Sequence, residues 1–251
     1  MSGHSKWATI KHKKGAADAR RGKLFAKLIR QVEVAARQGG GDPDSNPTLR
    51  TMYQKARDAS VPLDTIDRAV KRGTGELEGV SYEQITYEGY APHGVAVLIE
   101  VLTDNRNRTG SEIRTAFSRG GGSMAEPGAV AWQFERKGSV LVDRAADEDD
   151  LTLAAIDAGA DDIADDGAAW RITTPPGDLP SVRASLEEAG FAVESSDLIM
   201  AATNLVPLAS AGDARSVLSL VDALEDNDDV QAVHANFDVD ADVLERVLSA
   251  S

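Results

Sequence analysis

From Ala16 to Gln38 the apolar residues Leu24, Phe25, Leu28, Ile29, Val32, Ala35 and Ala36 recur at spacings of three and four, the period of an α-helix. On a helical wheel they fill one arc, while Arg20, Lys23, Lys27, Arg30 and Arg37 gather on a neighbouring one. The run GGGD at Gly39–Asp42 ends this helix, because glycine accepts the left-handed conformation of a C-terminal cap. Asn46-Pro47 reads as an N-cap with proline at the first helical position, opening a second helix with Leu49, Met52, Tyr53 and Ala56 inward. A third helix begins near Pro62, carries Asp64 and Asp67 early and Arg68, Lys71 and Arg72 late, and stops at Gly73.

The period then changes. QITYEGY and GVAVLIEVL are β-rich runs joined by APHG and read as a hairpin. TDNRNRTGSEIRTAFSR is a helix with an Asp/Asn start, ended by Gly120–Gly122, and AVAWQFER (Ala129–Arg136) returns to strand. Residues 139–200 run strand SVLV, a helix near Glu148–Ala158, a short strand, strand AAWRITT, a helix near Leu179–Ala189 and strand FAVESSD. That order is βαββαβ, the ferredoxin-like layout. Beyond Asn204 a helix around Ala214–Leu224, a strand VQAVHANF and a last short helix have no sheet of their own. The simplest arrangement has them complete the sheet begun at residue 84.

The expected fold class is therefore α+β with three domains. Residues 1–75 form a basic arm and helical bundle, and residues 76–136 with 202–251 a discontinuous α/β domain. Residues 137–201 form a ferredoxin-like α/β domain inserted in it.

Charge changes this picture most. The chain of 251 residues has a formal charge of -14, yet residues 1–74 hold 16 Lys/Arg against 7 Asp/Glu, and residues 75–251 hold 11 against 34. A net of +9 in front of a net of -23 points to attraction for a polyanion by one module and repulsion by the rest. The rival reading is an arm docked on the chain's own acidic domains, which exposed ion pairs worth about 0–1 kcal/mol each would hold weakly. With no cysteine, disulfides and thiolate metal sites are excluded. No apolar run approaches the roughly 18 residues of a membrane span, and no secretory h-region is visible, so a cytoplasmic location without membrane contact is expected.

The candidate chemistry is sparse. His4, His12, His93 and His234 are scattered outside any zinc-ligand spacing, RGTGELEG misses the dinucleotide fingerprint, and no phosphate-binding loop of the GxxxxGK[ST] type occurs. The acid clusters Asp147–Asp150 and Asp161–Asp166 could hold divalent metal in a nuclease, but they are contiguous, whereas two-metal sites draw carboxylates from separate elements. No metal, cofactor, small-molecule substrate or enzyme activity is expected. Nucleic acid fits better: Lys6, Lys11, Lys13 and Lys14 surround Trp7 and His12, mixing phosphate-neutralising charges with flat side chains able to stack on bases. Trp7 could equally pack the arm onto the bundle. Arg20, Arg21 and Lys23 continue the basic run, and Lys27, Arg30 and Arg37 extend it along the first helix, where like charges one turn apart repel unless neutralised.

GHSKWATIKHKK, DARRGKLFAKLIRQVEVAAR, GGGDPDSNPTLR, RAVKRGTGE, YEGYAPHGVAVLIEVLTDNRNRT and LVDALEDNDDVQAVHANFD closely resemble YebC proteins, whose mitochondrial relatives are translational activators of cytochrome oxidase. At Asp58–Pro62 the chain reads DASVP, where that family usually carries an Asn-rich stretch before the proline. The resemblance implies three domains and either of two roles. One is transcriptional regulation by DNA binding; the other is ribosome association that assists translation of difficult sequences such as proline runs. No clear recognition helix stands out and no dimer motif predicts paired half-sites, so a monomer on ribosomal RNA or tRNA is favoured over a duplex reader. By the same resemblance TDNRNRT belongs to the middle domain's most characteristic surface. Arg106 and Arg108 could meet phosphate and Asn105 and Asn107 base edges or backbone, or Asp104 and Asn105 could cap the helix while the arginines pair with nearby acids.

Overall fold

The first apolar stripe folds as helix α1 (Asp18–Gly39) in the computed structural model, which describes Trp7 and residues 18–249. Leu28, Val32, Ala35 and Ala36 of this helix are buried with Leu49 and Ala56 of α2 (Pro47–Asp58), with Val61, and with Ile66 and Ala69 of α3 (Leu63–Thr74). Leu24, expected on the core face, is 38 % exposed and lies outside the shared core, which Phe25, Leu28 and Ile29 enter from this helix instead. Asn46 caps α2 as its sequence predicts, accepting from Leu49 N at 3.0 Å, and its amide also donates to Ala35 O and Gly40 O. Gly73 is not the end of α3. A Cβ there would meet Glu33 O at 2.4 Å, so this glycine lets α1 and α3 touch backbone to backbone, and the helix ends at Gly75 with φ 84°.

The described residues divide into two compact units, one of residues 18–81 and 136–199, the other of Trp7 with residues 82–135 and 200–249. In the second, strand β1 (Glu83–Tyr90) pairs antiparallel with β2 (Ala96–Thr103) from Glu83↔Thr103 to Tyr90↔Ala96. Helix α4 (Arg106–Arg119) follows, buries Thr109, Ile113 and Phe117, and leads to the short strand β3 (Ser123–Ala125) on the outer edge of β1. Gly89 makes room for Phe117, whose ring would lie 2.5 Å from a Cβ at that position.

The expected strand AVAWQFER is part turn. Ala131–Gln133 forms a 3-10 turn, and strand β4 runs unbroken from Phe134 to Asp143, joining two segments that the sequence divides. The reason is Glu88, whose carboxylate takes the N–H groups of Gly128, Val130 and Ala131 and so keeps them out of any ladder.

Beyond β4 come α5 (Glu148–Asp157), β5 (Asp162–Asp165), β6 (Ala169–Thr174), α6 (Leu179–Glu188) and β7 (Val193–Ala202). The sheet order β5-β6-β4-β7 is that of a ferredoxin-like βαββαβ unit. Val140, Val142, Trp170 and Ile172 of the sheet bury against Leu151 and Ala155 of α5 and Leu179, Val182 and Leu186 of α6. Within the same compact unit, Arg183 of α6 makes a two-pronged pair with Asp58 of α2 at 2.6 and 3.2 Å, and Lys55 pairs with Asp197.

The chain then supplies β8 (Val206–Leu208), α7 (Ala211–Glu225), β9 (Val230–Ala235), β10 (Phe237–Val239) and α8 (Ala241–Ser249). Strand β9 pairs antiparallel with β2 and completes the sheet order β3-β1-β2-β9. Strands β8 and β10 form a separate parallel pair, and three residues each is too short for a period to show. The result is an α+β fold, N-terminal helices followed by α/β sheets.

Candidate nucleic-acid interface

Of the basic front segment, Lys6, Lys11, His12, Lys13 and Lys14 lie outside the described residues, and Arg20 and Arg21 fall on α1 by backbone alone. Trp7 is 8 % exposed, its indole N–H has no hydrogen-bond partner among the described residues, and it groups with the unit of β1 rather than with the helical bundle. The ring is buried in that position. On α1, Lys23 is exposed, and Lys27 and Arg30 are half-buried.

Arg37 stands apart from that stripe. Its guanidinium donates to Val80 O at 2.9 Å and lies 3.4 Å from Glu33, a buried carboxylate that Arg72 also meets at 2.9 Å. Arg37 therefore clamps the segment after α3 onto α1. Arg57, which the sequence pattern did not single out, and Lys71, read there only as a helix-end charge, are exposed and without an ion pair among the described residues, so they add cationic surface to the bundle.

Helices α2 and α3, joined by residues 59–62, have the spacing of a helix-turn-helix. The second helix of the pair opens with acids. The first exposed polar residues of α3 are Asp64 and Asp67, and Arg68 is tied to Asp64 at 2.6 Å, so carboxylates stand in the first turns, the part that a recognition helix presents to base edges in the major groove.

The TDNRNRT motif splits into two sets. Asn105 caps α4 by accepting from Arg108 N at 3.1 Å, and Thr103 Oγ1 accepts from Asn105 N at 2.9 Å. Asp229, just before β9, accepts from Thr109 Oγ1 at 2.6 Å, Arg108 Nη2 at 2.7 Å and Thr103 Oγ1 at 3.1 Å. Burial pushes the Asp229 carboxyl up, but those donors outweigh it and hold the group below the usual carboxylate range. Arg108 is shifted the other way, upward, by its bonds to Asp229 and Asp104. Asn105, Arg108 and Thr109 thus fasten α4 to the sheet, while Arg106 and Asn107 face solvent. Among the described residues Arg106 makes a surface pair with Glu83 at 3.2 Å, and the same helix presents Arg114 and Arg119, exposed and there without ion pairs.

The loop 126–131 is held by Glu88, whose carboxylate receives N–H groups at 2.6, 2.6 and 2.9 Å. Burial raises its pKa, and the three N–H bonds more than reverse that, leaving it lowered. Nothing in one dimension links Glu88 to Gly128 or Asp229 to Thr109; both pairings need the sheet. A cleft of about 490 Å³ between α4 and α7 is lined by Ser111, Thr115, Arg119 and Ser219, and its one acid, Glu112, is bonded to Asn227. Among the described residues no three or more His, Asp or Glu side chains gather to hold a metal ion, and no helix is long and apolar enough to cross a membrane.

Residues 5–76 match the family model described as the TACO1/YebC protein N-terminal domain, and residues 82–237 match that of the TACO1/YebC second and third domain. A probable transcriptional regulatory protein of Rubrobacter xylanophilus is 57 % identical over 98 % of this chain and 99 % of its own length. One from Geobacter sulfurreducens, with the same description, is 51 % identical over 99 % of this chain and its whole length. The crystal structure of a conserved hypothetical protein from Aquifex aeolicus has a TM-score of 0.85 and 44 % identity, covering 92 % of this chain and 96 % of that one. With both ends of the sequence matched, the chain belongs to the TACO1/YebC family.

Proposed function

We propose that this YebC-type regulator acts without bond chemistry, by holding RNA of the ribosome, ribosomal or transfer, through its basic front segment and the cationic side of α1. There it assists translation of difficult sequences such as proline runs. The observation that carries the reading is the charge division, +9 over residues 1–74 and -23 over the remainder. A polyanion is drawn to one end, and the acidic body limits indiscriminate coating. The carboxylates at the start of α3 favour structured RNA over a duplex groove, because the α2–α3 pair leads with acids where a duplex reader would contact base edges. The contact set proposed is Lys6, Lys11, His12, Lys13, Lys14, Arg20, Arg21, Lys23, Lys27 and Arg30, joined by Arg106 and Asn107. Trp7, Arg37, Asn105 and Arg108 support these residues rather than touch the partner. The protein works as a monomer in the cytoplasm, with its three domains as one positioning device.

The second reading is a DNA-binding transcriptional regulator, favoured by the description that the curated relatives carry. Sucrose-gradient fractionation of lysate separates the two. Migration of the full chain with ribosomal particles, reversed by raised salt, supports the translation role. Free migration with retained promoter-DNA binding overturns it in favour of transcription.

A further inference from the structure

Leu153 and Ile156 on α5 are each 64 % exposed, although the helix buries Leu151 and Ala155 on its other side. Asp149 and Asp150 lie one turn before Leu153 and Asp157 one turn after it, so the three- and four-residue rows frame two bare aliphatics with three carboxylates. Those carboxylates have no ion pair among the described residues. Local cations are spent elsewhere: residues 137–199 hold 15 acids and 4 bases, and the bases are engaged as Lys137–Asp161, Arg144–Asp165, Arg171–Asp166 and Arg183–Asp58. Helix stability explains Asp149 and Asp150, which sit in the first turn, but not Asp157, which ends the helix where its dipole disfavours an acid.

We propose that this face of α5 docks a basic, apolar-anchored segment of a partner protein. Aliphatic side chains of that segment seat on Leu153 and Ile156, and its lysines or arginines meet Asp149, Asp150 and Asp157. Nucleic acid is repelled by the same carboxylates. A second copy is disfavoured because a two-fold contact would set acids against acids. This surface is independent of the RNA contact and lies outside the residues assigned to it.

The test is site-specific photo-crosslinking in cells with p-benzoylphenylalanine at position 156 of the full chain, and at exposed Ser185 on α6 as control. The expected result is an adduct to a segment rich in Lys/Arg with aliphatics on one face, in yield about tenfold above the control. Asp149→Asn, Asp150→Asn and Asp157→Asn together lower that yield about tenfold. A yield equal to the control, an adduct to nucleic acid or to a second copy, or a yield indifferent to the charge change overturns the proposal. Thermal melting shows whether the triple variant stays folded, and Leu153→Ser with the acids intact gives the same loss by the apolar route.

Discussion

Arg108 Nη2 lies 2.7 Å from Asp229 Oδ2 across 121 residues of sequence, and this pair joins the start of α4 to the strand that closes its sheet. Because the arginine also reaches Asp104 at 2.9 Å, its charge is spoken for. Replacing Arg106 with Gln should therefore weaken RNA binding severalfold with little change in stability. Arg108→Gln should lower stability first. Paired urea unfolding and RNA-binding curves for the two variants check this, and equal behaviour contradicts it.

Asp229 gives a pH dependence with a definite sign. Its folded pKa is lowered, so its contribution is complete above the unfolded value of about 4 and is lost as pH falls through the lower folded value. Asp229→Asn should cost about 2 kcal/mol at pH 7, where three donors lose a carboxylate, and should flatten the acid limb of the stability curve. Unfolding midpoints between pH 7 and 3 read both effects.

Glu88→Gln leaves one acceptor oxygen for three N–H groups and turns an amide donor toward them. A loss of about 2 kcal/mol is expected, with faster proteolysis around Glu126–Gly128. An unchanged cleavage rate there would show that the loop is held by something else.

Ser60 occupies φ 63°, a left-handed conformation that costs a non-glycine residue free energy. It lies in the DASVP stretch, and asparagine and glycine tolerate that region better than serine does. Ser60→Gly or Ser60→Asn should raise stability by about 0.5–1 kcal/mol, visible as a melting point higher by about 2 °C. The neighbouring Asp58 gives this chain its pair with Arg183, and a double-mutant cycle on the two should return a coupling of about 1–3 kcal/mol.

These sites show where sequence is legible. The apolar stripe of α1, the Asn46 cap and the βαββαβ order were readable because each is set by residues within a few positions of one another. Leu24 and Trp132 mark the limit. Leu24 carries the right period yet stays outside the shared core, and Trp132 sits in a 3-10 turn because Glu88, far away in sequence, captures the local N–H groups. The TDNRNRT motif stayed ambiguous for the same reason: Arg106 and Arg108 look alike until Asp229 is folded against one of them.

The most direct measurement is the binding of the full chain to purified ribosomes as salt is raised. It is made with and without Gln at Lys6, Lys11, Lys13, Lys14, Arg20 and Arg21. If the front segment and the cationic side of α1 together meet about six phosphates, log K falls against log salt with a slope of roughly -5, the duplex value, and the neutral variant loses most of that slope with at least about a hundredfold of affinity at moderate salt. Equal slopes and affinities for the two proteins would contradict the account.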